Sequence, residues 1–463
     1  MSASTNLNTN PVVKRIAVKA SCVFISPALI GCGFGENTDS DVLRDRNGEA
    51  FLPGTTVAGV LRSIVSDAKV LFGKQEGETD RPDIISPLWV FDAKLTTSDQ
   101  RTANVVEIDG VALGRENKVA NEKEKYIFEA VETGTRFTLR FLLTIRENDR
   151  GKGYETLLKK TIGVLKSDSI ALGAKTRRGF GATQCYCVVK REFDLQKDNV
   201  AALEKWLNFD WDLEQSNPED WECAESEDFF GSDETFTVKL KLDGSIMIRD
   251  TRNVYDDYSE KEKEEKVPNY KHISSANKPV IFGTSWAGAF RSGLFRLLKQ
   301  RYPSSQNPDK VEQYLDEVFG YVEKLEDEIK ARAEASQVVF GTSFLKEIDN
   351  RVDGYRRITR VKIDRFTGGA ADGALFMEMP WYGGETTLAI RYPRDRVDIR
   401  QLILLGLDAI NHGIIQIGGE TSVGRGFFKI TDVVDSKGPV LIDEPKQELR
   451  KFLDDIGTKK AGE

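Results

Sequence analysis

Residues Pro53 to Ser63 read PGTTVAGVLRS, and 229 positions later Phe282 to Ser292 read FGTSWAGAFRS. Both segments follow an apolar run, Ala50-Phe51-Leu52 and Pro279-Val280-Ile281, and both end in Arg-Ser. A Gly-Thr, an Ala-Gly and an Arg-Ser held in one register mark an internal duplication. Its period is far longer than the roughly 20–50 residues of solenoid repeats. The copied unit is a whole domain, so the chain is expected to fold as two like domains carrying two like sites.

Three further matches keep the same order. LGAKTRRGFG, from Leu172 to Gly181, matches IGGETSVGRGFF, from Ile417 to Phe428, with two extra residues in the second copy. Trp89-Val90-Phe91-Asp92 lies about where Val338-Val339-Phe340-Gly341 should lie, and the stretch before Gly134-Thr135 resembles that before Gly384-Glu385. With 463 residues, each half is long enough to bury its own core. The expected division is a first domain over 1–205, an acidic linker over 206–234 and a second domain over 235–463.

The net charge of −8 speaks against a nucleic-acid partner only until its distribution is read. Eleven Asp and Glu, with no Lys or Arg, lie between Trp206 and Glu234. Outside that block 66 basic residues face 63 acidic ones, a net charge of +3. The block reads as a solvated linker, although Trp206, Trp211 and Trp221 within it also suit a docked protein neighbour. No apolar run approaches the roughly 20 residues of a membrane span. The polar start MSASTNLNTNPVVKR reads as a short disordered arm and no secretory signal. Five cysteines, with only Cys185 and Cys187 close together, give neither a disulfide framework nor zinc spacing. The cytoplasm is the expected compartment.

Each half opens on an alternating strand, Arg15 to Phe24 and Phe236 to Leu242. The repeat segment then starts a helix, with Thr55-Thr56 and Thr284-Ser285 as N-cap residues. Val57, Val60, Leu61, Ile64, Ala68 and Leu71 form one face of the first helix, with Gly73 as its C-cap. Trp286, Phe290, Leu294, Leu297 and Leu298 do the same in the second. Arg136 to Ile145 alternates as a strand, helices cover Tyr154–Lys166 and Asp398–His412, and closing strands run over Ala182–Lys190 and Phe427–Val434. A charged stretch, Lys310 to Ala335, reads as an inserted helix. Strand, helix, strand, strand, helix, strand is the ferredoxin-like order, shared with RNA-recognition modules. The expected class is α+β: two tandem ferredoxin-like domains with β-hairpin and helical insertions.

Gly54-Thr55-Thr56 and Gly283-Thr284-Ser285 set a glycine, hydroxyls and free N–H groups at a helix start. That geometry binds phosphate, and ordinary capping writes the same letters. Arg62 and Arg291 close the two segments. Lys175, Arg177, Arg178 and Gly179, with Phe180, suit a sugar-phosphate chain, and Arg425 with Gly426 repeats the design. Arg356, Arg357, Arg360, Lys362 and Arg365, interleaved with Tyr355 and Phe366, read as a basic hairpin reaching along nucleic acid. The segment Arg115 to Lys125 is its weaker counterpart. Neither His272 nor His412 has partners for a hydrolase triad or a metal, and the chain lacks a phosphate-binding GxxxxGK[ST] loop.

PGTTVAGVLRS, Val90-Phe91-Asp92-Ala93, GAKTRRGFG and IGGETSVGRGFF together resemble the motifs of the RAMP superfamily. More narrowly they resemble backbone subunits of type III CRISPR effector complexes, and the tandem pair is similar to the fused double subunit of type III-D systems. The resemblance implies a subunit that grips a guide CRISPR RNA, meets other effector subunits and displaces nucleotides with a β-hairpin thumb. It also implies cleavage of paired single-stranded target RNA by a loop aspartate with a divalent metal, here Mg²⁺. Asp39, shortly before Arg44-Asp45 and the Pro53-Gly54 segment, is the matching position for both the catalysis and the metal. In the second half Asp256 or Asp257 takes that role, or the site is inactive, because no Arg-Asp pair lies as close before Phe282-Gly283 as Arg44-Asp45 lies before Pro53-Gly54. The rival expectations are a scaffold that leaves cutting to neighbours and a nuclease that processes precursor guide RNA.

Overall fold

The structure is a computed structural model describing residues 10–33, 38–73, 85–113, 120–167, 170–196, 199–211, 221–227, 231–250, 267–301, 308–323, 332–349, 352–443, 446–447 and 449–451. Each half is built on one antiparallel sheet. In the first half, strand β1 (Val12–Phe24) is followed by helix α1 (Gly54–Ile64), a hairpin of β2 (Val105–Leu113) and β3 (Ala120–Val131), and strand β4 (Arg136–Arg146). Helix α2 (Tyr154–Lys166), strand β5 (Thr183–Asp194) and helix α3 (Val200–Leu207) complete it. β1 lies between β4 and β5, with the short strands Leu88–Val90 and Glu222–Cys223 at the two edges.

The second half repeats this plan. Strand β6 (Asp233–Asp243) leads through α4 (Gly283–Arg301) and α5 (Pro308–Phe319) to a hairpin of β7 (Ile358–Ile363) and β8 (Ala370–Met379). Strand β9 (Glu385–Pro393), helix α6 (Val397–Asn411) and strand β10 (Phe427–Asp435) follow. β6 lies between β9 and β10, with Val339–Phe340 beyond β9. The alternation of β6 is complete, every second side chain from Glu234 to Leu242 being buried. Each half therefore has its own core, one around Val18, Leu61, Leu139 and Ile162, the other around Val238, Trp286, Leu388 and Leu402.

Several expectations are corrected. The first helix breaks after Ile64. Val65 leaves helical geometry, and a 3-10 turn over Ser66–Phe72 carries Leu71 into the core before Gly73, at φ 71°. The stretch Lys310–Ala335 is not one helix. α5 stops at Phe319, Gly320 turns at φ 77°, and Tyr321–Glu323 pairs with Arg332–Glu334 as a hairpin. Its charge spacing carried helix propensity, and tertiary contacts override that weak preference. Cys22 and Cys185, opposite one another on β1 and β5, meet as a disulfide. Strand register makes that neighbourhood, which sequence spacing does not show.

The described part of the acidic segment is no solvated tether. Trp206, Phe209, Trp211 and Trp221 pack with Ala17, Leu142 and Phe193 on the sheet face opposite α1 and α2. Arg15 lies 4.2 Å from the Trp206 ring centroid and Lys19 lies 4.6 Å from that of Trp221. Farther on, Glu227 donates its N–H to Lys159 O, and its carbonyl comes so close to Gly163 that a Cβ there would sit 2.0 Å away. The chain covers the first sheet with its own aromatic residues before starting the second domain.

The two domains meet through unlike faces. The Gly-rich turn of the first domain sits on the start of α4: a Cβ on Gly283 would lie 2.1 Å from Phe340 O and 2.6 Å from Arg178 O. Thr342 Oγ1 donates to Gly179 O at 3.0 Å. Behind this contact Phe180, Phe128 and Ile108 pack on Ile273, Val280 and Phe282.

Candidate functional site

In the first domain the loop after β1 returns along the hairpin strand β3. Asp39 donates its N–H to Ile127 O at 2.7 Å, and its Oδ2 accepts the Ile127 N–H at 2.8 Å. The carboxylate is thus pinned by backbone while the residue stays exposed. Next to it, Lys175 leaves the Gly-rich turn from a left-handed backbone, φ 56°. Its ammonium lies 3.5 Å from the Phe128 centroid and 4.3 Å from that of Tyr126. Burial lowers the Lys175 pKa to about 8, Arg178 adds to the effect, and the negative charge of Asp39 opposes it. A fixed carboxylate and a half-buried amine thus lie against successive residues, Tyr126 to Phe128, of one hairpin strand.

A divalent metal fits this site in a limited sense. Among the described residues no three His, Cys, Asp or Glu converge on one point. Mg²⁺ keeps several waters and takes one or two carboxylates beside phosphates, so the exposed Asp39 suits it where a bound phosphate adds the remaining oxygens.

The helix starts are more occupied than their letters suggest. Pro53, not Thr55 or Thr56, stands at the N-cap of α1, and no side chain of its own caps it. Asp92 does so from across the fold, its Oδ1 accepting the Gly54 N–H at 2.7 Å. Thr55 is exposed and Thr56 half-buried. At α4, Gly283 is covered by the first domain's turn, with Thr284 and Ser285 half-buried beside it. Thr284 and Ser285 follow Phe282, whose carbonyl accepts the Ser285 N–H, so they too lie in the first turn.

Several expected RNA contacts have other employment. Arg62 donates to Gly73 O at 2.8 Å and ties α1 to the end of the 3-10 turn. Arg291 bonds Gly320 O at 2.9 Å and pairs with Asp316. Gly179 is buried in the joint between domains, Gly426 is buried against Ile417, and Arg425 is only 3% exposed. Arg177, Arg178, Arg356, Arg357 and Arg365 are exposed, Arg356 also donating to Val352 O at 2.6 Å. The last three, with Lys362, line the approach to and tip of the β7–β8 hairpin, where Phe366 is 89% exposed.

The two Gly-rich turns match residue for residue, contrary to the expected two-residue insertion. Leu172 N–H bonds Gly181 O, and Ile417 N–H bonds Gly426 O, a constant separation of nine residues. Left-handed angles recur at Lys175 and Glu420, 56° and 59°, and at Gly179 and Gly424, 82° and 88°. Lys175 is therefore matched by Glu420, and Phe180 by Arg425. Strand pairing also shifts the earlier match by one: Leu52 pairs with Ala93 and Ile281 with Ser343, so Asp92 corresponds to Thr342.

Asp256 and Asp257 lie outside the described residues. The position equivalent to Asp39 is instead Asn269. It donates its N–H to Met377 O at 2.6 Å, and its Oδ1 accepts the Met377 N–H at 2.8 Å. The neighbouring parallel pairings agree, Ser40 with Phe128 and Tyr270 with Glu378. Counting back from the repeated glycine, 15 residues before Gly54 and 14 before Gly283, would have found it. Beside Asn269 and the strand Tyr270–His272, charged residues stand where the first domain has Phe128, Lys175 and Phe180. Glu420 pairs with Arg425 at 2.7 Å, Arg249 at 3.2 Å and Arg360 at 3.5 Å. Glu378 pairs with Arg360 at 2.7 Å and with Arg425.

Among the described residues no helix is long and apolar enough to cross a membrane. The family model described as RAMP superfamily matches residues 21–184 and 229–429, once in each half. No curated protein matches the chain.

Proposed function

From the membership of this chain in the RAMP superfamily, we propose that it is a CRISPR RNA-binding subunit of a type III interference complex, with two fused backbone units of the type III-D kind. The observation that carries this reading is the family match in both halves. It is supported by the basic β7–β8 hairpin, by the exposed Arg177 and Arg178 of the first Gly-rich turn and by the exposed, backbone-pinned Asp39. Guide RNA would run past Arg177, Arg178, Arg356, Arg357 and Arg365, whose charges read phosphate and leave sequence to base pairing.

In this reading the first domain cuts target RNA paired to the guide. A hairpin that displaces one nucleotide lets the neighbouring ribose 2′-OH align with the adjacent phosphate. Asp39 accepts the hydroxyl proton as O2′ bonds to phosphorus and the P–O5′ bond breaks, the leaving oxygen taking a proton from water. Products are a 2′,3′-cyclic phosphate and a 5′-hydroxyl. Mg²⁺ held by Asp39 and the phosphate would offset the charge that develops on the phosphoryl oxygens.

The test is the assembled ribonucleoprotein with a labelled complementary RNA and Mg²⁺. Asp39→Asn is expected to remove at least one product while guide and target binding persist. If every product survives, the subunit is a scaffold and neighbouring subunits cut.

A further inference from the structure

We infer that the two domains divide their work: the first cuts RNA with Asp39 and Lys175 together, while the second holds RNA without cutting it. This inference rests on the function proposed above and adds to it which half reacts and which second side chain takes part.

The equivalence of Asp39 and Asn269 is set by main-chain geometry rather than by alignment. Both residues bond the N–H and C=O of one residue on the outgoing hairpin strand, with side-chain oxygens at the same 2.8 Å. The amide keeps the loop anchored and loses the chemistry. An amide oxygen neither takes a proton near neutral pH nor contributes charge to a hard cation. The anchor is therefore retained without the base.

The neighbouring residue changes in the same sense. At the left-handed position of the turn the first domain places Lys175, whose ammonium lies on two aromatic faces beside Asp39. A cation there meets the phosphate whose adjacent hydroxyl Asp39 would deprotonate, and offsets charge gained in the transition state. The second domain places Glu420, which repels a phosphate. Glu420 is also committed to Arg249, Arg360 and Arg425. Four substitutions, Asp39 to Asn269, Phe128 to Glu378, Lys175 to Glu420 and Phe180 to Arg425, turn an aromatic surface with an exposed carboxylate into a cluster of two glutamates and three arginines. The exposed Arg356, Arg357 and Arg365, before β7 and at the tip of its hairpin, are the residues that would hold RNA.

The experiment uses the assembled complex, saturating labelled target and Mg²⁺, and compares Asp39→Asn, Lys175→Met, Lys175→Arg, Asn269→Ala and the double variant Asp256→Asn/Asp257→Asn. Expected are loss of a product set in Asp39→Asn and the full set in the last two. Lys175→Met should slow the Asp39-dependent cut about tenfold or more with target affinity unchanged, and Lys175→Arg should recover most of the rate. Survival of every product in Asp39→Asn overturns the proposed function and this inference with it. Loss of one product in Asp39→Asn and of a different one in Asn269→Ala or in the double variant overturns the inference alone. An unchanged rate in Lys175→Met removes Lys175 from the chemistry.

Discussion

Phe180 is the side chain whose removal should reveal most about how the halves hold together. It is 1% exposed, its ring 5.5 Å from Phe128 in its own domain and 5.6 Å from Phe282 in the other. Phe180→Ala empties a closed site and should destabilise the protein by about 3–5 kcal/mol. The two ring contacts account for about 0.5–1.5 kcal/mol each of that loss. The share that belongs to the joint is isolated by a double-mutant cycle with Phe282→Leu, expected to show about 0.5–1.5 kcal/mol of coupling. Urea unfolding and calorimetry supply the readouts. Trp206, Trp211 and Trp221 report the first sheet, and the buried Trp286 and Trp381 report the second core. As the joint weakens, the first and second domains should unfold in separate transitions. Phe180→Arg installs the residue that the second turn carries, without Glu378 and Glu420 to pair it, and should be worse than alanine because a buried charge is left unpartnered. A loss below about 1 kcal/mol in Phe180→Ala, or a cycle without coupling, would refute the account of the joint.

Two further outcomes follow from single contacts. Asp92→Ala removes the carboxylate that accepts the Gly54 N–H and should destabilise the first domain by about 1–2 kcal/mol, read from its urea midpoint; an unchanged midpoint would deny Asp92 its capping role. His272 is fully buried, its Nδ1 accepting the Ile248 N–H, and burial pushes its pKa down to about 3. The unfolded chain therefore binds the proton first, so stability is complete above about pH 6.5 and falls toward pH 3, by about 2 kcal/mol at pH 5. His272→Gln should flatten that difference in acid titrations of stability, and parallel wild-type and variant curves would count against it.

The duplication was legible because glycine positions are set by backbone approach. Gly54 and Gly283 each face a carbonyl, of Val90 and of Phe340, that would touch a Cβ. The alternating strands and the helices Tyr154–Lys166 and Val397–Asn411 were equally plain. What escaped was made by register rather than by local sequence. The Cys22–Cys185 pairing, the cover of tryptophans over the first sheet and the capping of α1 by Asp92 all join residues far apart in the chain. Arg62, Arg291 and Arg425 carried the composition of RNA contacts, and burial assigned them to carbonyls and carboxylates instead. Asn269 was missed for a different reason. An acidic residue marks the site only in the first domain, whereas the equivalent position in the second keeps its hydrogen bonds and loses its charge.

The contact of the first domain's turn on the second domain's helix start has one more consequence. It joins two different patches of one repeated shape, and such a contact, unlike a two-fold one, does not use itself up. In the first domain the exposed Thr55 and the 53% exposed Trp89 mark a helix start that no Gly-rich turn covers among the described residues. In the second, Ser422, Val423 and Gly424 form an exposed turn that sits on no helix start. The molecule thus has a polarity, a head and a tail, and the joint supplies a direction of growth without a stopping rule. An assembly that repeated this contact would have a direction and, unless it closed into a ring, no length of its own.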